Sequence, residues 1–369
     1  MSLVSALCEF YSGPLEQQLA PANILVTAGA SEGLFAAGQA FLEEGDEVIL
    51  FEPFFDIYCG SLTFAGAKLV PVQLHLRKPA ANADGSEPDL SSSMYQFDVA
   101  ELTAAFSDKT KMIWINTPHN PTGKMFSREE LEVIAELVRK HPKCIVLSDE
   151  VYEWITYDDT VHNRFATLPG MWERTVTVSS AAKTFSVTGW KIGWSIGPHN
   201  LVNALSRAHE YIVYCVSTPH QESLARVLRA VMKNDYLQQL KLQYKRRRDI
   251  LVEGFRKAKL NPIVPQGAFY ITIDASRINI APSEGLDTVT GINMDWNDWK
   301  IARWFTGTVG VTPIPCSAFY VPEHVKAASI LRFAFCKTEE LLQQAVLKLA
   351  NVPHLLEESQ SKRKQELSQ

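Results

Sequence analysis

No stretch of this sequence is apolar for long enough to span a membrane, and its first residues show no charged-then-apolar signal segment. A membrane or secreted protein is therefore not expected. A soluble protein of the cytoplasm is expected, with a mitochondrial location left open. Closely spaced cysteines are missing as well. Cys8, Cys59, Cys144, Cys215, Cys316 and Cys336 lie far apart, with no CxxC pair and no histidine at metal-ligand spacing. Reduced, mostly buried thiols and no metal site follow. Nor is there an excess of positive charge. Lys and Arg number 36 against 41 Asp and Glu, so the basic field that nucleic-acid binding requires is absent and a small molecule is the expected partner. What is present, 369 residues with 46% hydrophobic and 21% charged, suffices for two domains around large cores.

Along the chain, strands alternate with helices. The stretch ILVTAGASEGLFAAGQAFLEEGDEVILFEP predicts a strand over Ile24–Val26, a glycine turn, a helix over Glu32–Glu44 and a strand over Val48–Phe51. In this βαβ unit the turn Gly29-Ala30-Ser31 places small residues and free amide groups at a helix N-terminus. Unpaired donors and the helix dipole favour an anion there, although a tight turn that binds nothing has the same composition. Phe54 to Tyr58 offers rings for stacking on a flat ligand, although core packing accounts for most such clusters. Lys78–Ser93, rich in polar residues with three consecutive serines, reads as a surface loop. Met112–Ile115 predicts a strand leading to Asn120-Pro121, and Ser127 with Glu130 has capping-box spacing ahead of a helix. Cys144–Leu147 has the short, continuous apolar character of a central parallel strand, with Asp149 at its end and Tyr152 three residues on.

The run TVTVS closes at Ser179, just ahead of Lys183 in SSAAKTFSVTGWKIGW. Three strands thus deliver Asn120, Asp149 and Lys183, and in open α/β sheets the carboxyl ends of strands line the ligand crevice. A partly desolvated lysine loses its proton near neutral pH and forms a Schiff base with an aldehyde. Taken alone, the stretch also fits a solvated lysine at a strand end. Ser180 and Lys191 suit a phosphate carried by the same aldehyde.

Further on, helices are predicted over Asn200–Tyr211, Gln221–Met232 and Lys233–Lys259, the last with a basic run at 245–248 that reads as a solvated face. Pro262–Asp274 predicts a strand of a smaller α+β unit, Ser276–Asp298 a loop and Trp299–Gly307 a short helix. ILRFAF carries Arg332 among apolar neighbours, where it requires a carboxylate, either a substrate's or a structural one. The tail from Glu357 is charged and uncapped and is expected to fray. A large domain over 1–232 and a small one over 233–369 follow.

Pyridoxal 5'-phosphate answers these features together: an aldehyde for a lysine, a ring nitrogen for an acidic partner, and a phosphate. GASEGLF (29–35), EPFFDIY (52–58), NTPHNPTGK (116–124), SDEVYE (148–153), SSAAKTFSVTGWKIGW (179–194) and LRFAFCKTEE (331–340) span nearly the whole chain. In this order they resemble the fold-type I aminotransferases, in the branch of kynurenine aminotransferase, glutamine transaminase K and cysteine-conjugate β-lyase. The resemblance implies an α/β, three-layer fold with a mostly parallel central sheet and a smaller α+β C-terminal domain. It implies Lys183 as the Schiff-base lysine and proton shuttle, Asp149 at the ring nitrogen, Tyr152 and Asn120 at the ring hydroxyl, and Phe55 on the ring face. Ser180, Lys191 and the backbone of Ala30 and Ser31 would hold the phosphate. Arg332, with Asn120, would hold the substrate α-carboxylate, and Tyr214 would form part of the cleft wall.

It further implies a homodimer that transfers the amino group of kynurenine, glutamine or a related aromatic or sulfur amino acid to a 2-oxo acid. Elimination from cysteine S-conjugates would be a sister reaction, and neither nucleic acid nor membrane is an expected partner. Two departures stand out. Ser31 and Glu32 replace the tyrosine and glycine of close relatives, and a family segment ahead of Met1 is expected to be missing. A pyridoxal-phosphate-binding protein without full activity is therefore a second reading. Ser180 to Lys183 also spells the SxxK of serine acyl-enzymes, but neither SDN nor KTG occurs.

Overall fold

The structure, a computed structural model, describes residues 2–80, 88–276, 278–281, 297–324 and 330–367. The chain forms two compact units. The first comprises Met1–His75, Phe97–His119 and Met125–Lys241; the second comprises Leu76–Gln96, Asn120–Lys124 and Leu242–Gln369. The expected division at 232/233 falls inside the last segment of the first unit, and two excursions, 76–96 and 120–124, join the second.

The first unit is built on seven strands: β1 (Ile24–Thr27), β2 (Glu47–Glu52), β3 (Lys68–Gln73), β4 (Thr110–Asn116), β5 (Ile145–Asp149), β6 (Thr175–Ser180) and β7 (Gly193–Ile196). Their order across the sheet is β1-β7-β6-β5-β4-β2-β3. All neighbours are parallel except those of β7, which runs antiparallel to β1 and β6. β6 is buried at every position and β4 and β5 at nearly every one. A sheet achieves this only with both faces covered, which makes the unit three-layered.

Among the covering helices are α1 (Ser2–Tyr11), α2 (Ala30–Phe41), α3 (Arg128–Lys140), α4 (His199–Ile212) and α5 (Thr218–Val231). α3 begins at the expected capping box: Ser127 Oγ accepts from Glu130 N (3.2 Å), and the Glu130 carboxylate accepts from Ser127 N (2.9 Å). α1 buries Leu3, Leu7 and Tyr11 in one cluster with Val26, Trp194, Leu224 and Leu228. Each such aliphatic side chain contributes about 1.5–3 kcal/mol.

The second unit holds β8 (Pro262–Val264), β9 (Tyr270–Asp274), β10 (Ile314–Pro315) and β11 (Ile330–Ala334) with the short strand Leu90–Ser91 at its edge. Where one strand is predicted over Pro262–Asp274, the structure has two. Between them the amides of Gln266 and Gly267 both donate to the carbonyl of Gly123 (3.0 Å each). Gly123 lies at φ +71°, and a Cβ there would stand 2.4 Å from Pro265 Cβ. This close approach ties 120–124 into the unit. Leu90–Ser91 corrects the loop reading of Lys78–Ser93. It pairs in parallel with Ile263 and Val264, a partner that local composition does not foretell. Residues 81–87 of that stretch, and most of the loop predicted over Ser276–Asp298, lie outside the described residues.

Two further expectations are corrected. Arg248, within the basic run, is 4% exposed and donates to Asp249 and to the Pro265 carbonyl, so the run is not wholly a solvated face. Instead of fraying from Glu357, the tail is helical over Val352–Leu367, as far as the described residues extend. Ser359 is buried there, and its hydroxyl accepts from the amide of Ala281 (2.8 Å). All six cysteines are free thiols, but only Cys144 and Cys316 are buried, and Cys215 is exposed. Among the described residues no helix is long and apolar enough to cross a membrane.

Candidate active site

Because β1, β4, β5 and β6 are parallel, Thr27, Asn116, Asp149 and Ser180 emerge along one edge of the first sheet, and antiparallel β7 begins there at Gly193. β4 ends at Asn116, four residues before the predicted Asn120. β6 ends at Ser180, and Lys183 follows in the single helical turn Ala181–Thr184.

Asp149 occupies the centre of this edge and is 3% exposed. Its Oδ2 accepts the Tyr58 hydroxyl (2.6 Å), its Oδ1 accepts the amide of Val151 (3.3 Å), and its backbone carbonyl accepts Asn116 Nδ2 (3.0 Å). Both donors to the carboxylate are neutral. Burial pushes the carboxyl up to about 6, against the lowering effect of the Tyr58 and Val151 hydrogen bonds and of the Lys183 charge. Burial, and then the Asp149 charge, also raise the Tyr58 phenol well above its ordinary value, so Tyr58 stays protonated as the donor. Lys183 Nζ stands 5.9 Å from the ring centroid of the buried Tyr152. Phe55, half-buried, meets Tyr58 edge to face at 5.7 Å.

A second cluster forms at the N-terminus of α2. Gly29, at φ +81°, turns the chain from β1 into the helix, with its amide on the Thr27 carbonyl (2.8 Å) and its own carbonyl accepting Thr27 Oγ1 (3.0 Å). The amides of Ala30 and Ser31 open the helix, where no intrahelical acceptor exists. Gly193 admits this turn: a Cβ there would lie 2.5 Å from Ala30 N and from Gly29 C. A Cβ on Gly29 would lie 3.4 Å from Lys191 Nζ, so the lysine reaches the same spot. Ser180 pairs with Gly193 across β6 and β7, and its hydroxyl makes no cap hydrogen bond to its own helical turn. Glu32 sends its carboxylate back to Ala28 N (3.0 Å) and to His209 Nδ1 (3.1 Å).

A third group belongs to the second unit. Arg332 on β11 lies with its guanidinium carbon 4.3 Å from the Tyr270 ring centroid and 4.8 Å from that of Phe319. Its Nη1 donates to Asn120 Oδ1 (2.5 Å), while its buried Nε has no hydrogen-bond partner. The structure thus joins Asn120 to Arg332. Tyr214 is 77% exposed at φ +64° and borders a cavity of about 590 Å³ with His209, Cys215 and Val216.

The residues suit pyridoxal phosphate by their donors. The buried Asp149 carboxylate, held by neutral donors, is relieved by a protonated ring nitrogen, and the amides after Gly29 with Lys191 suit a phosphate. Tyr58 is not among the residues that the sequence singles out for the cofactor; the available signal is its place three residues after Phe55 in EPFFDIY, a cluster that offers only ring stacking or core packing when read locally.

Comparison with known proteins agrees with this arrangement. The model of the family "Aminotransferase class I and II" matches residues 1–349. The chain is 47% identical over 348 residues to kynurenine--oxoglutarate transaminase of Dictyostelium discoideum, covering 93% of this chain and 80% of that protein. It is 40% identical to kynurenine--oxoglutarate transaminase 3 of Homo sapiens, covering 93% and 74%. Among solved structures, Bna3p of Saccharomyces cerevisiae superposes with a TM-score of 0.88 at 34% identity, covering 96% of this chain and 82% of that one. YbdL of Escherichia coli, described with a methionine aminotransferase function, gives 0.80 at 29%, covering 95% and 82%. This chain therefore belongs to the class I and II aminotransferases, enzymes that work with pyridoxal 5'-phosphate.

Proposed function

We propose that this aminotransferase takes its amino group from kynurenine, glutamine or a related aromatic or sulfur-containing amino acid, gives it to a 2-oxo acid, and works as a homodimer. The observation that carries the assignment of its reaction centre is Asp149. It is a carboxylate buried at the end of a central strand, hydrogen-bonded by neutral donors, and subject to the charge of Lys183. The donor class rests on the two transaminases named for kynurenine and on YbdL, named for methionine.

When bound, pyridoxal phosphate supplies an aldehyde that condenses with amines and a ring that takes up electrons. Asp149 would hold a proton on the ring nitrogen, and Tyr58 orients that carboxylate through its hydroxyl. Tyr152, whose ring centroid lies 5.9 Å from Lys183 Nζ, would donate toward the ring hydroxyl, and Phe55 would lie against the ring. Ala30 and Ser31 would bind the phosphate through their amides, with Ser180 and Lys191 adding a hydroxyl and a cation. Lys183 Nζ would take up the proton released at the substrate Cα and hold it for return as the acid of the reverse transfer. Within the second unit, Asn120 and the ring faces of Tyr270 and Phe319 position the Arg332 fork, which would suit a substrate carboxylate.

The test is a titration of the cofactor-loaded protein with kynurenine, glutamine and a cysteine S-conjugate, following the visible band of the bound cofactor. The donor is the amino acid that removes the band reversibly, with a 2-oxo acid restoring it. Lys183→Ala is expected to lose at least about 10³-fold in kcat, the range of general acid–base catalysis. Full multiple turnover in that variant refutes the role of Lys183, and a monomer by light scattering that turns over refutes the homodimer.

A further inference from the structure

Behind the Asp149 edge lies a second set of buried charges to which the assignment above gives no role. The turn from Asp149 to Glu153 is closed by Glu150 N on the Val178 carbonyl (2.8 Å) and Glu153 N on the Glu150 carbonyl (2.9 Å). Residues three apart on such a turn share a face. Asp149 and Tyr152 form one pair and Glu150 and Glu153 the other. Glu150 and Glu153 are at most 2% exposed, and isolated carboxylates at that depth are costly.

Each of their oxygens meets a donor or a cation, Glu153 Oε2 through its ion pair with Arg164 and without a hydrogen bond. Arg164, 7% exposed, spans both carboxylates, with Nη1 on Glu150 Oε2 (2.6 Å) and Nη2 on Glu153 Oε2 (2.5 Å). His162 Nε2 is also on Glu150 Oε2 (2.8 Å), and Ser148 Oγ donates to Glu150 Oε1 (2.9 Å). Glu153 Oε1 accepts from the hydroxyl of Tyr11 on α1 and from Ser179 Oγ (2.5 Å) at the end of β6. Two rings flank the guanidinium: Tyr11 at 5.6 Å and Trp154 at 5.5 Å. Only the planar fork of arginine engages two carboxylates in this way; the point charge of lysine does not.

This set has mechanical and electrostatic consequences for the reaction centre. Mechanically, it ties the turn that presents Asp149 and Tyr152 to Ser179, four residues before Lys183. Electrostatically, Asp149 already responds to the Glu150 charge, which raises it. Burial also opposes ionisation of Glu150, yet the His162 and Arg164 charges outweigh it and hold Glu150 below its ordinary value. The groups bearing on Asp149 are thus Tyr58, Tyr152 and Lys183 on its own side. On the other side are Glu150 and Glu153, with Arg164, His162 and Tyr11 compensating them.

We propose that Arg164, seconded by Tyr11, is a positioning residue for this transaminase. It draws the Glu150 and Glu153 carboxylates to the far face of the turn, so that Asp149 and Tyr152 are presented to the cofactor in a field of reduced negative charge. The proposal rests on the reading of Asp149 and Tyr152 as cofactor contacts. Its test is the pH titration of the visible absorbance of bound pyridoxal phosphate in wild type, Arg164→Lys and Tyr11→Phe, alongside thermal unfolding of each without cofactor.

Arg164→Lys keeps the total charge, but a single ammonium engages one carboxylate at a time, so the other glutamate is left less compensated near the cofactor and protonated forms persist to higher pH. The midpoint in Arg164→Lys is expected to rise by about 0.5–1 unit, and in Tyr11→Phe to move the same way by less. A merely structural role lowers the unfolding temperature and leaves the midpoint in place. Midpoints within about 0.2 unit of wild type in the folded variants overturn the proposal, whatever the loss of stability. Should Arg164→Lys fail to fold, the Tyr11→Phe midpoint decides alone. Wild-type protein that takes up no pyridoxal phosphate refutes the underlying site reading instead, so the two failures are distinct.

Discussion

Asp149 and Glu150 are adjacent in sequence, both deeply buried, and opposite in their electrostatics. Glu150 is met by an arginine, a histidine and a serine, and is held below its ordinary value. Asp149 is met by a phenol and an amide, and burial pushes it up to about 6. The fold thus spends its compensating groups on one face of a five-residue turn and leaves the other face short of positive charge. A buried charge that is fully matched supports the scaffold, whereas one matched only by neutral donors is prepared for a ligand that brings the missing charge.

The largest effect is expected on the matched face. Arg164→Met leaves two buried carboxylates without their cation, and denaturant unfolding of the cofactor-free protein should show a loss of about 3–5 kcal/mol. A change below about 1 kcal/mol would mean that the pairs contribute no more than surface ones.

On the other face, Asp149→Asn is expected to cost on the order of 10²- to 10³-fold in kcat/KM, as loss of a preorganised electrostatic contact does. Its stability should respond in the opposite sense. The folded value near 6 exceeds the unfolded value of about 3.9. Folded protein therefore binds the extra proton between these limits, and cofactor-free stability falls as pH rises from about 4 to about 6, by up to about 3 kcal/mol. Asp149→Asn should remove that fall. For Glu150 the sign reverses: its contribution is present above the unfolded value and lost as pH drops through the lower folded one. Stability profiles of wild type and Asp149→Asn between pH 3 and 7, on the order of a unit per step, would separate the two faces; coincident profiles would abolish the contrast.

The smallest effect is at Tyr58. Its hydrogen bond lowers Asp149, so Tyr58→Phe should raise the carboxyl further and move the acid limb of the kcat/KM profile upward by about 1 unit. An unmoved limb would show that the bound cofactor, not the phenol, sets the ionisation of Asp149.

Much of this site was legible locally. The capping box at Ser127, the apolar run closing at Asp149, and the glycine turn before α2 each depend on neighbours a few residues away, and strand ends in a parallel sheet share one edge. The sequence by itself therefore determined the α/β order, the family motifs and the candidates Asp149, Tyr152, Lys183 and Lys191. What it left open involves partners far along the chain. Leu90–Ser91 pairs with residues beyond 260, Asn120 meets Arg332, Tyr58 supplies a hydroxyl to Asp149 from 91 residues away, and Arg164 with Tyr11 answers two glutamates whose partners no neighbouring residue announces. Only the tertiary structure decided which carboxylates are compensated, because burial and charge pairing depend on what the folded chain brings within a few ångströms, and no local pattern encodes that distance.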